Sequence, residues 1–240
     1  MSSRLSAICF HTALPAGLAR FWSGVLGWES ATGPEGGDIE VLPPGGAGYR
    51  MRFLPDVVPK TGRNRAHFDL TSTSPEDQRR TVARALQLGG GHIDVGQLPE
   101  EGHVVLADPD GNEFCVIPAG NAFLAGTGAV GALACDGTRE VGHFWSEALR
   151  WPLVWDQDQE TAIQSPSGGT KITWGGPPVA PKSGTNRIRL ELALGAEADF
   201  EAETERLLAL GATHAAGAQA HGRAFLLDPD GNEFTVRHLG

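Results

Sequence analysis

Asp108-Pro109-Asp110-Gly111-Asn112-Glu113-Phe114 returns letter for letter as Asp228-Pro229-Asp230-Gly231-Asn232-Glu233-Phe234, half a chain later in a sequence of 240 residues. Apolar, β-prone residues flank each copy: Val104 to Ala107 and Cys115 to Ile117 around the first, Ala224 to Leu227 and Thr235-Val236 around the second. Asp-Pro-Asp-Gly supplies Pro where a turn fixes φ and Gly where φ turns positive, so each copy predicts a tight reversal between two strands. An identity of this length at this spacing marks a duplicated chain.

Working outward, the rest of the sequence follows the same duplication. Phe144-Trp145 answers Phe21-Trp22, Trp151 answers Trp28, and Pro181 to Arg187 answers Pro59 to Arg65. Leu5 to His11 alternates as a strand, with Ala7, Cys9 and His11 on one face. Pro15 opens a helix whose Leu18, Phe21, Trp22, Val25 and Leu26 form an apolar stripe, and Gly27 closes it. Short strands are expected at 28–31, 39–42 and 49–54, followed by a polar connector over 55–63. Arg65 to Leu70 is a strand with His67 and Asp69 on one face and Phe68 and Leu70 on the other. Ser74 caps a helix running to Leu88. Strands at 92–95, 103–107 and 113–117 complete a second β-α-β-β-β unit. The second half repeats the order, including a helix from Ala198 to Leu210. The expected domains are 1–118 and 129–240, joined by a small-residue linker at 119–128.

A net charge of −10 offers no basic surplus for nucleic-acid phosphates. Three cysteines, Cys9, Cys115 and Cys135, without CxxC spacing argue against a disulfide framework or a structural zinc site and for a reducing compartment. No secretory leader pattern and no apolar run of membrane-spanning length is present, so a cytoplasmic location and no membrane partner are expected.

Each half resembles a module of the vicinal oxygen chelate superfamily, which includes glyoxalase I, extradiol dioxygenases and bleomycin-resistance proteins. The resemblance rests on Leu18 to Trp28, on His67-Phe68-Asp69-Leu70 and on Leu106 to Phe114, with weaker second-half equivalents of the first two and a full copy of the third. It implies an α+β fold in which paired βαβββ units curve mixed eight-stranded sheets around a funnel, with helices outside. It also implies that the two modules form an intrachain pseudo-dimer, making a monomer the expected state and a homodimer the alternative.

Family metalloenzymes take one ligand each from the first, fourth, fifth and eighth strands of a module. Carried over, these positions fall on Ala7, Met51 or Arg52, His67 and Cys115 in the first half. In the second they fall on Val130, Ile172 or Thr173, Arg189 and Thr235. Only His67 matches, and Arg189 puts a permanent cation at a metal position. A rearranged zinc site drawing His11 and Cys115 toward His67 is the alternative to the reading adopted, which has no metal and no other cofactor. Face alternation assigns a ligand cavity to His67, Asp69, Glu113, Cys115, His11, Arg189, Glu191, Glu233 and Thr235, with His103 and Arg223 nearby. For His67 the competing reading is a histidine paired with Asp69, and the two residues are expected to lie alongside one another without converging. Glu113 and Glu233 have a local alternative as turn-binding groups. The tryptophans read as core, with one or two available to stack on a ligand.

The expected function is binding of a small drug or metabolite without the family metal, with no catalytic residue assigned. The alternative is an enzyme of the superfamily, lyase, isomerase or dioxygenase-like. It would use either a divergent metal site around His67 or metal-free acid–base chemistry; standard glyoxalase I activity is not expected.

Overall fold

The computed structural model describes residues 3–34, 36–46, 49–57, 60–216 and 222–238. Part of the expected 55–63 connector, residues 58 and 59, therefore lies outside the described residues. In chain order the elements are β1 (Arg4–Thr12), α1 (Pro15–Leu26), β2 (Glu29–Thr32), β3 (Ile39–Leu42) and β4 (Arg50–Pro55). The next unit has β5 (Ala66–Leu70), α2 (Pro75–Gln87), β6 (Gly91–His92), β7 (Val104–Ala107) and β8 (Glu113–Val116). The second half has β9 (Val130–Cys135), α3 (Arg139–Leu149), β10 (Leu153–Gln157), β11 (Glu160–Ile163) and β12 (Lys171–Trp174). It ends with β13 (Ile188–Leu194), α4 (Phe200–Ala209), β14 (Thr213–His214), β15 (Arg223–Leu227) and β16 (Glu233–His238). The βαβββ unit thus occurs four times and the fold is α+β. The strand expected at 92–95 is only the two-residue β6, and the helix expected at 198–210 starts at Phe200, because Asp199 caps it by accepting from Ala202 N at 2.9 Å. No helix among the described residues is long and apolar enough to cross a membrane.

Two mixed eight-stranded sheets result. The first runs β14-β15-β16-β13-β1-β4-β3-β2 and the second β10-β11-β12-β9-β5-β8-β7-β6. Each sheet therefore joins one unit from each half. The outermost units of the chain meet along the antiparallel β1–β13 seam, and the inner units meet along β5–β9. Residues on one concave face accordingly come from both halves of the sequence.

The apolar side of each alternation forms the core. Phe10 of the first sheet lies 5.7 Å from Phe68 of the second, and Trp22 on α1 lies 5.5 Å from Phe68 and 5.0 Å from Phe114. Trp145 meets Phe234 in the same way at 4.9 Å. Three tryptophans, Trp22, Trp145 and Trp174, are buried; Trp28 and Trp151 pack against the core, and Trp155 is exposed beside Phe123.

The duplicated heptapeptides join core to turn. The Asp108 carboxylate accepts from Trp22 Nε1 (3.2 Å), from the amides of Asp110 (3.0 Å) and Asn112 (2.9 Å), and from Asn112 Nδ2. Asp228 accepts the corresponding bonds from Trp145, Asp230 and Asn232. Gly111 and Gly231 adopt φ of 80° and 78°, which a side chain would strain. Burial pushes the Asp108 carboxyl up to about 6, against the bonds from Asn112, Asp110 and Trp22 that favour its charged form.

Asp108→Ala would leave four N–H donors without their acceptor, three of them in and beside the turn and one in the core. The expected cost is about 3 kcal/mol in unfolding free energy, measured by urea denaturation, with a similar cost for Asp228→Ala. A loss below about 1 kcal/mol for both would show that the turns are held by other means.

Candidate functional site

The second sheet carries an open cavity of about 720 Å³ on its concave face. Alternation along β5 turns Phe68 and Leu70 into the core and His67 and Asp69 the other way; β8 does the same with Phe114 and Val116 against Glu113 and Cys115. Register places Asp69 opposite Cys115, and His67 opposite Ala134, which in turn lies opposite Thr173. Two connectors, 60–65 from the first half and 180–187 from the second, supply much of the cavity wall. No tryptophan is among the described residues lining it, so the stacking role considered for tryptophan finds no support here.

His67, Asp69 and Cys115 converge: one ring nitrogen, one carboxylate oxygen and the Sγ all lie within 4.8 Å of one another. His67 Nε2 is 3.5 Å from Asp69 Oδ1, which corrects the expectation that two residues on one strand face would not meet. Burial alone would lower the His67 pKa. Hydrogen bonds to Asp69 and Cys115 and the electrostatic pull of these two neighbours outweigh it and raise the imidazole to about 10, so it carries its proton at neutral pH.

The other expected site residues have different surroundings. Glu113 lines the cavity, but its carboxylate holds the connector: Lys60 Nζ at 2.6 Å and the Asn64 amide at 3.3 Å. Glu233 does the same with Lys182 (2.5 Å) and the Asn186 amide (3.2 Å). The local alternative for these glutamates was thus close, except that the connectors, and not the turns, are what they bind. Arg189 and Glu233 border a separate small cavity of about 40 Å³, where Arg189 Nε donates to Asn186 O at 2.7 Å.

Glu191 is buried on the first sheet between Arg52 Nη1 (2.8 Å) and Arg237 Nε (3.0 Å), and Thr235 lies opposite it on β16. His11 is also on the first sheet, with Nδ1 3.0 Å from Asp56 Oδ2, and so cannot join His67 as the zinc alternative required. His103 faces Glu101 at 3.8 Å and lies outside the cavity lining.

Sequence reasoning recognised the connectors as a repeat but missed what they do. Beyond Lys60 and Lys182, Asn64 Nδ2 donates to Asn112 Oδ1 (3.0 Å) and Asn186 Nδ2 to Asn232 Oδ1 (2.9 Å). Arg65 Nη1 donates to Asp230 O and Arg187 Nη1 to Asp110 O, both at 3.0 Å, so each connector grips the turn of the opposite half. The repeated Lys-x-Gly-x-Asn-Arg spelling was the available signal. Cys135, Asp136 and Thr173, also in the lining, were missed because their strands were assigned to a separate module.

Comparison with known proteins bears on this arrangement. The family model for the glyoxalase-like domain matches twice, over residues 7–117 and 131–237. The chain belongs to the glyoxalase-like domain family. A search of the curated proteins finds no match. Among solved structures, glyoxalase I from Zea mays superposes with a TM-score of 0.67 at 14% identity, covering 99% of this chain and 92% of that one. A candidate dioxygenase from Bacillus subtilis gives 0.64 at 12% identity, covering 99% and 86%. At these identities the likeness is one of fold.

The glyoxalase-like topology regroups the family's metal positions. Ala7, Arg52, Arg189 and Thr235 belong to the first sheet; Thr173, His67 and Cys115 belong to the second. The first-strand position there is not Val130, which is buried opposite Leu70, but Ala132 or Ala134, beside Asp69 and His67. The second sheet thus has alanine and threonine at two of four positions, and the first has the fully buried Arg52 guanidinium. Neither set fits the family's four-ligand centre.

On the first sheet, burial and then the Arg189 charge pull the His11 pKa down to about 4, against the Asp56 bond. The unfolded chain, with His11 near 6.5, binds a proton that the folded chain refuses. The His11 contribution to stability is therefore full above about pH 6.5 and is lost as pH falls through the window down to about 4. Between pH 7 and 4.5 the wild type should lose more unfolding free energy than His11→Gln in urea titrations; parallel pH profiles would contradict this.

Proposed function

We propose that the protein binds a small organic molecule in the cavity over β5, β8, β9 and β12, with His67, Asp69 and Cys115 as the groups that orient it. The carrying observation is the 720 Å³ cavity lined by His67 and Cys115, with Asp69 beside them and Val105, Ala134 and Thr173 on the neighbouring strands. Its volume lies within the range typical of small-molecule sites. The first sheet supports the asymmetry, because its concave face is occupied by Arg50–Glu40, Arg52–Asp38 and Arg52–Glu191 pairs. We read the protein as a cytoplasmic monomer of the drug- or metabolite-binding kind. Three free cysteines and sheets completed within one chain support that reading.

A second reading, an enzyme of the superfamily working by metal-free acid–base chemistry, is favoured by the protonated His67 facing the cavity. A general acid needs a proton to give at neutral pH, and this imidazole has one.

A thermal-shift screen of aromatic metabolites and antibiotics should yield ligands that raise the melting temperature of the wild type. His67→Ala should lose that shift while its unliganded melting temperature stays near the wild-type value. A large fall in melting temperature with binding intact would instead make His67 a structural residue.

A further inference from the structure

We infer that Cys115, held beside His67 in the cavity wall, is a reactive cysteine that adds to α,β-unsaturated carbonyl compounds entering the cavity. The inference rests on the small-molecule reading above and names the class of compound that the site takes.

The geometry has three parts. Cys115 lines the cavity although only 8% of its surface is exposed, so a reagent reaches it only from the cavity side. His67 is next to it and next to Asp69, in the order nucleophile, base, orienting carboxylate. On the strands flanking the pair, Val105 on β7 and Ala132 and Ala134 on β9 contribute no charge and the neighbouring Glu113 is tied to Lys60, while Arg63, Arg65, Asp136 and Arg187 stand in the connectors and strand ends of the cavity wall. Asp69 is therefore the strand carboxylate left to hold the imidazolium. A thiolate is a soft nucleophile, and a neighbouring cation is what keeps a thiol ionised near neutral pH.

The other two thiols lack this arrangement. Cys9 is buried on the first sheet, where burial and the Glu191 charge push its thiol well up. Cys135 borders the cavity but is pushed up by burial and by the Asp228 and Asp136 charges. The chain thus carries two internal controls.

The addition balances without any further reagent. A lone pair on Cys115 Sγ forms a bond to the β-carbon of the conjugated carbonyl. The carbon–carbon π pair shifts toward the carbonyl to give an enolate, and the His67 imidazolium delivers its proton to the α-carbon. Thiolate and imidazolium become a thioether and a neutral imidazole. Arg63, which also lines the cavity, brings positive charge to the space in which the enolate develops its negative charge.

N-Ethylmaleimide, itself a conjugated carbonyl, is the probe. Intact-protein and peptide mass spectrometry at pH 7 should show one adduct forming first, on Cys115, at least about tenfold faster than on Cys9 or Cys135. In urea all three should react alike. Cys115→Ser should abolish the fast phase. His67→Gln and Asp69→Asn, confirmed folded by their melting curves, should each slow it, the former by at least about tenfold.

Labelling of Cys115 no faster than of the other two cysteines would overturn the inference, as would an unchanged rate in His67→Gln. One tightly held divalent metal per chain in the untagged protein, with labelling appearing only after its removal, would overturn it too. A chain that binds ligands in the thermal-shift screen but leaves Cys115 unlabelled loses only this inference. A chain that labels at Cys115 but binds nothing in that screen loses the broader reading.

Discussion

Two buried carboxylates, Asp108 and Asp228, hold this molecule in register. Each gathers the amides of its own turn and the indole N–H of a helix packed behind the sheet. A buried carboxylate is costly unless its lone pairs are taken, and here both oxygens of each are taken. That requirement explains why aspartate, asparagine and tryptophan recur in both halves while the cavity residues do not. The next layer outward repeats it, as the same turns present asparagine and glutamate to the connectors, and the connectors reach across to the opposite half. Fold and cavity wall therefore depend on one network.

On this shared frame the two concave faces diverged by filling. The first sheet carries arginines at 50, 52 and 237 against Asp38, Glu40 and Glu191. Arg52 is fully buried, which is tolerable only because carboxylates meet it on two sides. Long side chains engaged with one another occupy volume on the first sheet that is left empty on the second, where Thr173, opposite Ala134, stands at the strand position that Arg52, opposite Cys9, holds on the first. Duplication supplied two funnels, and side-chain length and charge separated their fates.

The sequence carried the elements well and the partnerships poorly. Alternation in Arg65 to Leu70 was sufficient to send His67 and Asp69 one way and Phe68 and Leu70 the other. Ser74 and Gly27 marked helix ends that the structure confirms by the Asp77 amide bond to Ser74 and by φ of 69° at Gly27. Which unit pairs with which is written in no local pattern, since the β1–β13 and β5–β9 seams are matters of long-range register. That one uncertainty misplaced several residues. His11 and Ala7 were grouped with His67 although they share no sheet with it, while Cys135 and Thr173, which line its cavity, were set apart. The connectors were visible as spelling, but their grip on the turns required three dimensions.

The nested pairing of units has a consequence for how the chain acquires its shape. The inner sheet joins segments that follow each other closely, so it can close as soon as β12 is made. The outer sheet joins the first strands of the chain to the last, and β1 must wait with its edge unpaired until β13 exists. During synthesis from the N-terminus, the cavity-bearing sheet is thus assembled first, and β1 to β4 remain the exposed and slow-closing part of the molecule.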